Sequence, residues 1–128
     1  MNSLFPSILL SALLAAAPPL LAKRGAPAPV PAVRRAGVEY SVPHDPLAGM
    51  VQATDLRTGT VLWNRQVYTV RFDPSLETDV QDCYITALEL ESSHLRVTNE
   101  RGCVYLLALD SLLVRAVRGD LVLDNRKR

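Results

Sequence analysis

Met50-Val51-Gln52-Ala53-Thr54-Asp55-Leu56-Arg57-Thr58-Gly59-Thr60-Val61-Leu62-Trp63-Asn64-Arg65-Gln66-Val67-Tyr68-Thr69-Val70-Arg71-Phe72 is the stretch on which the fold turns. Two runs rich in branched and aromatic residues are separated by Arg57-Thr58-Gly59-Thr60, and a Gly-containing turn between two such runs is the pattern of a β-hairpin. In the second run Tyr68, Val70 and Phe72 share one parity, while Arg65, Thr69 and Arg71 share the other. One face is therefore apolar and the other wet, as in an antiparallel sheet covered on one side.

Downstream the alternation stops at 73–82, where Pro74 suits a first helical position and Asp73 the cap before it, predicting a loop with one helical turn. Strand pattern returns at 84–90, with Tyr84, Thr86, Leu88 and Leu90 on one face, and Ser92-Ser93 makes the next turn. A short run at 94–99 places Leu95 and Val97 inward, Glu100-Arg101-Gly102 turns the chain, and 103–109 forms another strand. Short turns between three runs predict an antiparallel meander. For the tail, a hairpin of 112–117 and 121–123 around Arg118-Gly119-Asp120 is preferred to a short helix capped by Asp110 and ended by Gly119. Residues 125–128 are expected to fray.

Upstream, residues 4–22 carry no charge and are dominated by Leu and Ala. This reads as a secretory signal peptide, 1–22, with Pro18 and Pro19 breaking any helix near its end. An uncleaved anchor is the alternative, because the run approaches the ~20 apolar residues that cross a bilayer. The basic residues after it would then hold a cytoplasmic β domain at the membrane. Residues 23–37 read as a Pro/Ala-rich linker, leaving 38–128 as a single β domain. Four bases and no acids precede residue 38, whereas ten bases face 13 acids after it. A nucleic-acid binder would concentrate cations on its folded part, so that class is excluded.

Ala53, Asp55, Thr58, Gly59 and Trp63 are spaced A-x-D-x-x-T-G-x-x-x-W. This spacing resembles the tryptophan-docking repeat of quinoprotein-type (PQQ-like) β-propellers, a family of pyrroloquinoline-quinone dehydrogenases and many non-enzymatic scaffolds. The strict resemblance covers 53–63. A looser one runs over 49–109, where Leu95-x-Val97-x-Asn99-Glu100-x-Gly102-x-Val104-Tyr105, then Leu109-Asp110, is similar to the strands preceding a next repeat. It implies one to two blade-like units. Closure into a wheel takes at least about four blades of roughly 40–50 residues, so a whole propeller does not fit and an open sheet or small sandwich is expected. Turn and core chemistry account for the motif without a ligand: Asp55 and Thr58 bond turn amides, Gly59 supplies positive φ, and Trp63 packs.

Other constellations are weak. Cys83 and Cys103 lie on strands flanking a common neighbour, about 9.6 Å apart at two strand spacings, beyond the ~7 Å reach of a disulfide, so two buried thiols are expected. Asp73, Glu77, Asp79 and Asp82 lack the order of a calcium loop. His44 and His94 have no metal-ligand spacing and read as surface residues. No nucleophile elbow or Cys-His pair is present. Arg118-Gly119-Asp120 matches the integrin-binding tripeptide but also a hairpin tip. The expected function is an exported, secreted or periplasmic, non-catalytic protein-binding or scaffold module with no cofactor and no metal, contacting another protein or itself through a sheet edge. The alternative is a partial or oligomer-completed quinoprotein that binds pyrroloquinoline quinone.

Overall fold

A computed structural model describes residues 28–43, 48–78 and 80–127. The signal-peptide segment 1–22, the start of the linker, and His44 in its Pro-His-Asp-Pro turn lie outside the described residues. What is described is all-β, and its one helical element is a 3-10 turn at Asn125–Lys127. A first antiparallel sheet runs in chain order through β1 (Val33–Arg35), β2 (Val38–Ser41), β3 (Met50–Asp55) and β4 (Val61–Gln66). A second does the same with β6 (Ile85–Glu91), β7 (His94–Asn99), β8 (Val104–Ala108) and β9 (Val114–Arg118). Between and after them come β5 (Thr69–Arg71) and β10 (Val122–Asp124), which pair with each other in parallel.

The domain is thus two open meanders around one core. Val51 and Ala53 from the first sheet meet Leu95, Val97, Tyr105 and Leu107 from the second, all at 0% exposure. At about 25 cal/mol per Å² of apolar surface, this shared core rather than either sheet alone supplies the stabilisation.

Several expectations change. The sheet starts inside the stretch read as linker, because Val33–Arg35 pairs with β2 through the two-residue turn Ala36-Gly37. Both turn residues have positive φ, 52° and 77°, the geometry that lets so short a turn follow the strand twist. The run 61–72 is not one strand: it breaks at Val67 and Tyr68, both buried, and Thr69–Arg71 becomes the separate strand β5. On β6 a bulge between Ile85 and Ala87 shifts the phase, so Ile85 faces the core and Thr86 is exposed. The 73–82 loop forms no helix among its described residues. Asp73 keeps the capping chemistry within a turn, its Oδ1 accepting from Ser75 N (2.9 Å) and Ser75 Oγ (2.6 Å). Residues 112–117 and 121–123 make no hairpin, since β9 pairs with β8 and β10 crosses to β5. Nor does Asn125 fray: it is buried and its Nδ2 donates to Gln81 O.

The two meanders also share a backbone plan. Asp55 N donates to Thr60 O and Gly59 N to Asp55 O, while Ala108 N donates to Leu113 O and Leu112 N to Ala108 O. Thr58 Oγ1 accepts from Thr60 N as Ser111 Oγ accepts from Leu113 N. Gly59 and Leu112 both have positive φ, as do Gly49 and Gly102. The β5–β10 register matches Thr69 with Val122, Val70 with Leu123 and Arg71 with Asp124. Packing does not follow the backbone. Val51 and Ala53 are buried on β3, whereas on β8 the fully buried residues are Tyr105 and Leu107, one step out of phase; the ladder shifts place their extra residues on the partner strands, Leu62 on β4 and Val117 on β9.

Candidate functional site

The five motif residues come together in one hairpin. Ala53 is fully buried and stands opposite Trp63 across β3 and β4. Asp55 Oδ1 accepts from Arg57 N at 2.8 Å. Thr58 Oγ1 accepts from Thr60 N at 3.2 Å and donates to Thr60 Oγ1 at 2.9 Å. Gly59 has φ of 77°. Trp63 is half-buried against the core, its ring centroid 6.0 Å from that of Tyr40 with planes tilted by 41°. The side chains of Asp55 and Thr58 are spent on the turn, and the indole lies on a neighbouring tyrosine of its own sheet.

A second cluster lies deep between the sheets. Tyr68 and Tyr105 stack with centroids 5.2 Å apart and planes at 14°. Their hydroxyls donate to backbone carbonyls, Tyr68 to Cys83 O at 2.5 Å and Tyr105 to Asp120 O at 2.6 Å. Burial pushes both phenols above their ordinary range, because a phenolate would be desolvated and could no longer donate. Cys83 and Cys103 beside them are buried, unpaired thiols, and burial pushes the Cys83 thiol up despite the Arg101 N–H directed at it. A raised thiol is a poor nucleophile and metal ligand. Asn99 accepts through Oδ1 from Arg101 N and Cys103 N, at 2.9 and 3.0 Å, while its buried Nδ2 has no partner among the described residues. Gln81, Asn125 and Arg101 complete a polar knot: Arg101 donates to Asn125 Oδ1 at 2.9 Å, and Gln81 Nε2 donates to the carbonyls of Asp73 and Glu77. This cluster holds loops in place. The tripeptide at 118–120 adjoins it, since Gly119 leaves no room for a side chain beside Cys103 and the Asp120 carbonyl is taken by Tyr105.

Among the described residues no three His, Cys, Asp or Glu converge as metal ligands. Asp79 of the acidic stretch lies outside the described residues, and Asp73 is engaged by Ser75, which holds its carboxyl below the usual range. No described helix is long and apolar enough to cross a membrane.

The surface feature that stands apart is on the second sheet. An open concavity of about 610 Å³ is lined by Leu106 and Ala108 of β8, by Leu113 and Leu121 on either side of β9, and by His94 and Arg115. Leu113 is 69% exposed, and Val117, Leu121 and Val122 also stand out to solvent. β9 is the last strand of its sheet, so one side of its backbone has no strand partner among the described residues. Comparison with protein-family models yields no match for this chain, and comparison with curated proteins yields none. The geometry alone therefore directs attention to this edge. The sequence reading makes 112–117 half of a terminal hairpin and so assigns β9 a partner it does not have. A signal is present in the alternation Val114-Arg115-Ala116-Val117-Arg118, which puts cations beside apolar residues on a strand with no second strand neighbour among the described residues.

Proposed function

We propose that this chain is an exported, non-catalytic β-sheet module that holds another protein along a sheet edge. The observation that carries the reading is β9, an edge strand flanked by exposed Leu113, Val117, Leu121 and Val122. An unpaired row of backbone N–H and C=O groups offers main-chain hydrogen bonds to an added strand, and neighbouring apolar side chains supply the burial that makes such addition favourable. Export is supported by the uncharged run 4–22 followed by Lys23 and Arg24. The resemblance of 53–63 to a quinoprotein repeat enters as a source of strand and turn geometry, not of chemistry.

A photo-crosslinking residue placed at position 117 in the full chain tests the edge, with the same residue at exposed position 57 as control. Adducts at 117 that are missing at 57 and vanish with a second substitution, Leu113→Asp, are expected. Equal adducts at both sites would remove the edge from consideration. N-terminal sequencing of the mature product is expected to begin near Lys23, and a retained Met1 in the membrane fraction would replace export with anchoring. Thermal stabilisation on adding pyrroloquinoline quinone would replace the non-catalytic reading with the quinoprotein one.

A further inference from the structure

The edge has a charge as well as a shape, and the charge selects a partner. Each of the two four-stranded sheets ends in two edge strands, and β9 differs from the other three. On β1, Arg34 is paired with Glu39 and Arg35 donates to Ser92 O. On β4, Arg65 donates to Leu112 O at 2.8 Å and to Gln66 O at 3.0 Å. β6 has no cation and carries Glu89 and Glu91. β9 alone has two exposed guanidinium groups, Arg115 and Arg118, that make no hydrogen bond or ion pair among the described residues.

Arginine on an edge strand is often a guard against pairing with other chains. A guard is usually accompanied by a polar surround, and this one is set among Leu113, Val117 and Leu121, all exposed. Arg115 stands opposite Leu106 in the β8–β9 ladder and lines the concavity, so its guanidinium sits at the boundary between an apolar floor and the open edge. We infer that β9 receives an extended segment in which apolar residues alternate with carboxylates, the carboxylates meeting Arg115 and Arg118 on the face these share with Leu106, and the apolar set continuing the inner face formed by Val114 and Ala116. Arginine suits this role because its planar fork takes a carboxylate through two parallel hydrogen bonds. A strand bearing Lys or Arg at those positions places like charges side by side and is rejected.

The inference rests on the edge reading above, and one titration separates the two. The full mature chain is titrated with two labelled peptides of about eight residues, one alternating Val with Glu and the other Val with Lys, while backbone amide shifts of 114–118 report the site. The Glu peptide is expected to bind at β9 at least ~10-fold tighter than the Lys peptide, with affinity falling as salt rises through the screening range. The double variant Arg115→Glu/Arg118→Glu, both positions being exposed, is expected to invert that order. Equal binding of both peptides at β9 overturns the charge inference and leaves the edge reading standing. Failure of both peptides to move the β9 amides overturns both. Self-association by sedimentation with the β9 amides protected, and undiminished in Arg115→Glu/Arg118→Glu, names a second copy as occupant and overturns the acidic partner.

Discussion

Gly59 and Gly119 share a left-handed backbone, φ of 77° and 91°, yet a methyl group meets different surroundings at each. Nothing lies within 4 Å of a Cβ at Gly59, whereas at Gly119 it would press on the Cys103 side chain, with Cys103 Cβ at 2.8 Å. Gly59→Ala should therefore cost only the backbone term of about 1 kcal/mol. Gly119→Ala should add an overpacking cost of roughly 1–3 kcal/mol, and the difference should appear as a lower urea midpoint at unchanged slope. Equal midpoints for the two variants would mean that Cys103 yields freely. Ala36 is the converse case, an exposed non-Gly residue at φ of 52° in a two-residue hairpin turn. Ala36→Asn should raise stability by about 0.5–1 kcal/mol, because Asn tolerates that region and Asn-Gly is the favoured pair there. Asp55→Ala removes the acceptor of Arg57 N and should cost about 1 kcal/mol, with no gain or loss of any quinone-dependent signal.

Among the elements, the β5–β10 pair is the least local and the one most exposed to test. Leu123 in β10 is buried, and Asn125 just beyond it ties Arg101 to the Gln81 carbonyl. Asn125→Leu should deprive both groups of that partner at a cost of about 1–3 kcal/mol, seen as faster amide exchange in β5 and β10 before any loss in β7 and β8. Uniform exchange across all strands would show instead that the pair opens only with the whole domain. The same pair marks the limit of what the sequence discloses. The hairpin of β3 and β4 is legible because Thr58-Gly59 fixes the turn and strand periodicity flanks it, and the meander of β6, β7 and β8 is legible because Ser92-Ser93 and Arg101-Gly102 punctuate it. A parallel pairing of three-residue strands separated by more than fifty positions leaves no such local mark. Bulges are equally silent: moving the ladder by one residue at Thr86 reverses which side chain is inside, while composition stays the same. The candidate edge escapes a sequence reading for the reason that suits it to binding, since a strand with no partner differs from a paired one only in what is absent beside it.

For the molecule as a whole, the joined core sets an alkaline limit. Tyr68 and Tyr105, stacked between the two sheets, must remain neutral to donate their hydrogen bonds, and burial raises both above the ordinary phenol value. The Cys83 thiol is raised in the same sense. Each of these acids ionises more readily in the unfolded chain than in the folded one. Their contribution is therefore complete below the unfolded pKa and is withdrawn as pH climbs past it, first through the ordinary thiol range and then above about 10 for the phenols. Every pH unit beyond that point should remove up to about 1.4 kcal/mol per buried phenol. Unfolding free energy is expected to hold level through neutral pH and then fall steeply, with absorbance of the buried phenolates appearing only as the domain unfolds. Tyr68→Phe should lower stability at neutral pH by about 1 kcal/mol through the lost bond to the Cys83 carbonyl, yet roughly halve the phenol-driven part of the alkaline slope. Should that variant keep the full slope, the stacked pair would not be what joins the two meanders at high pH.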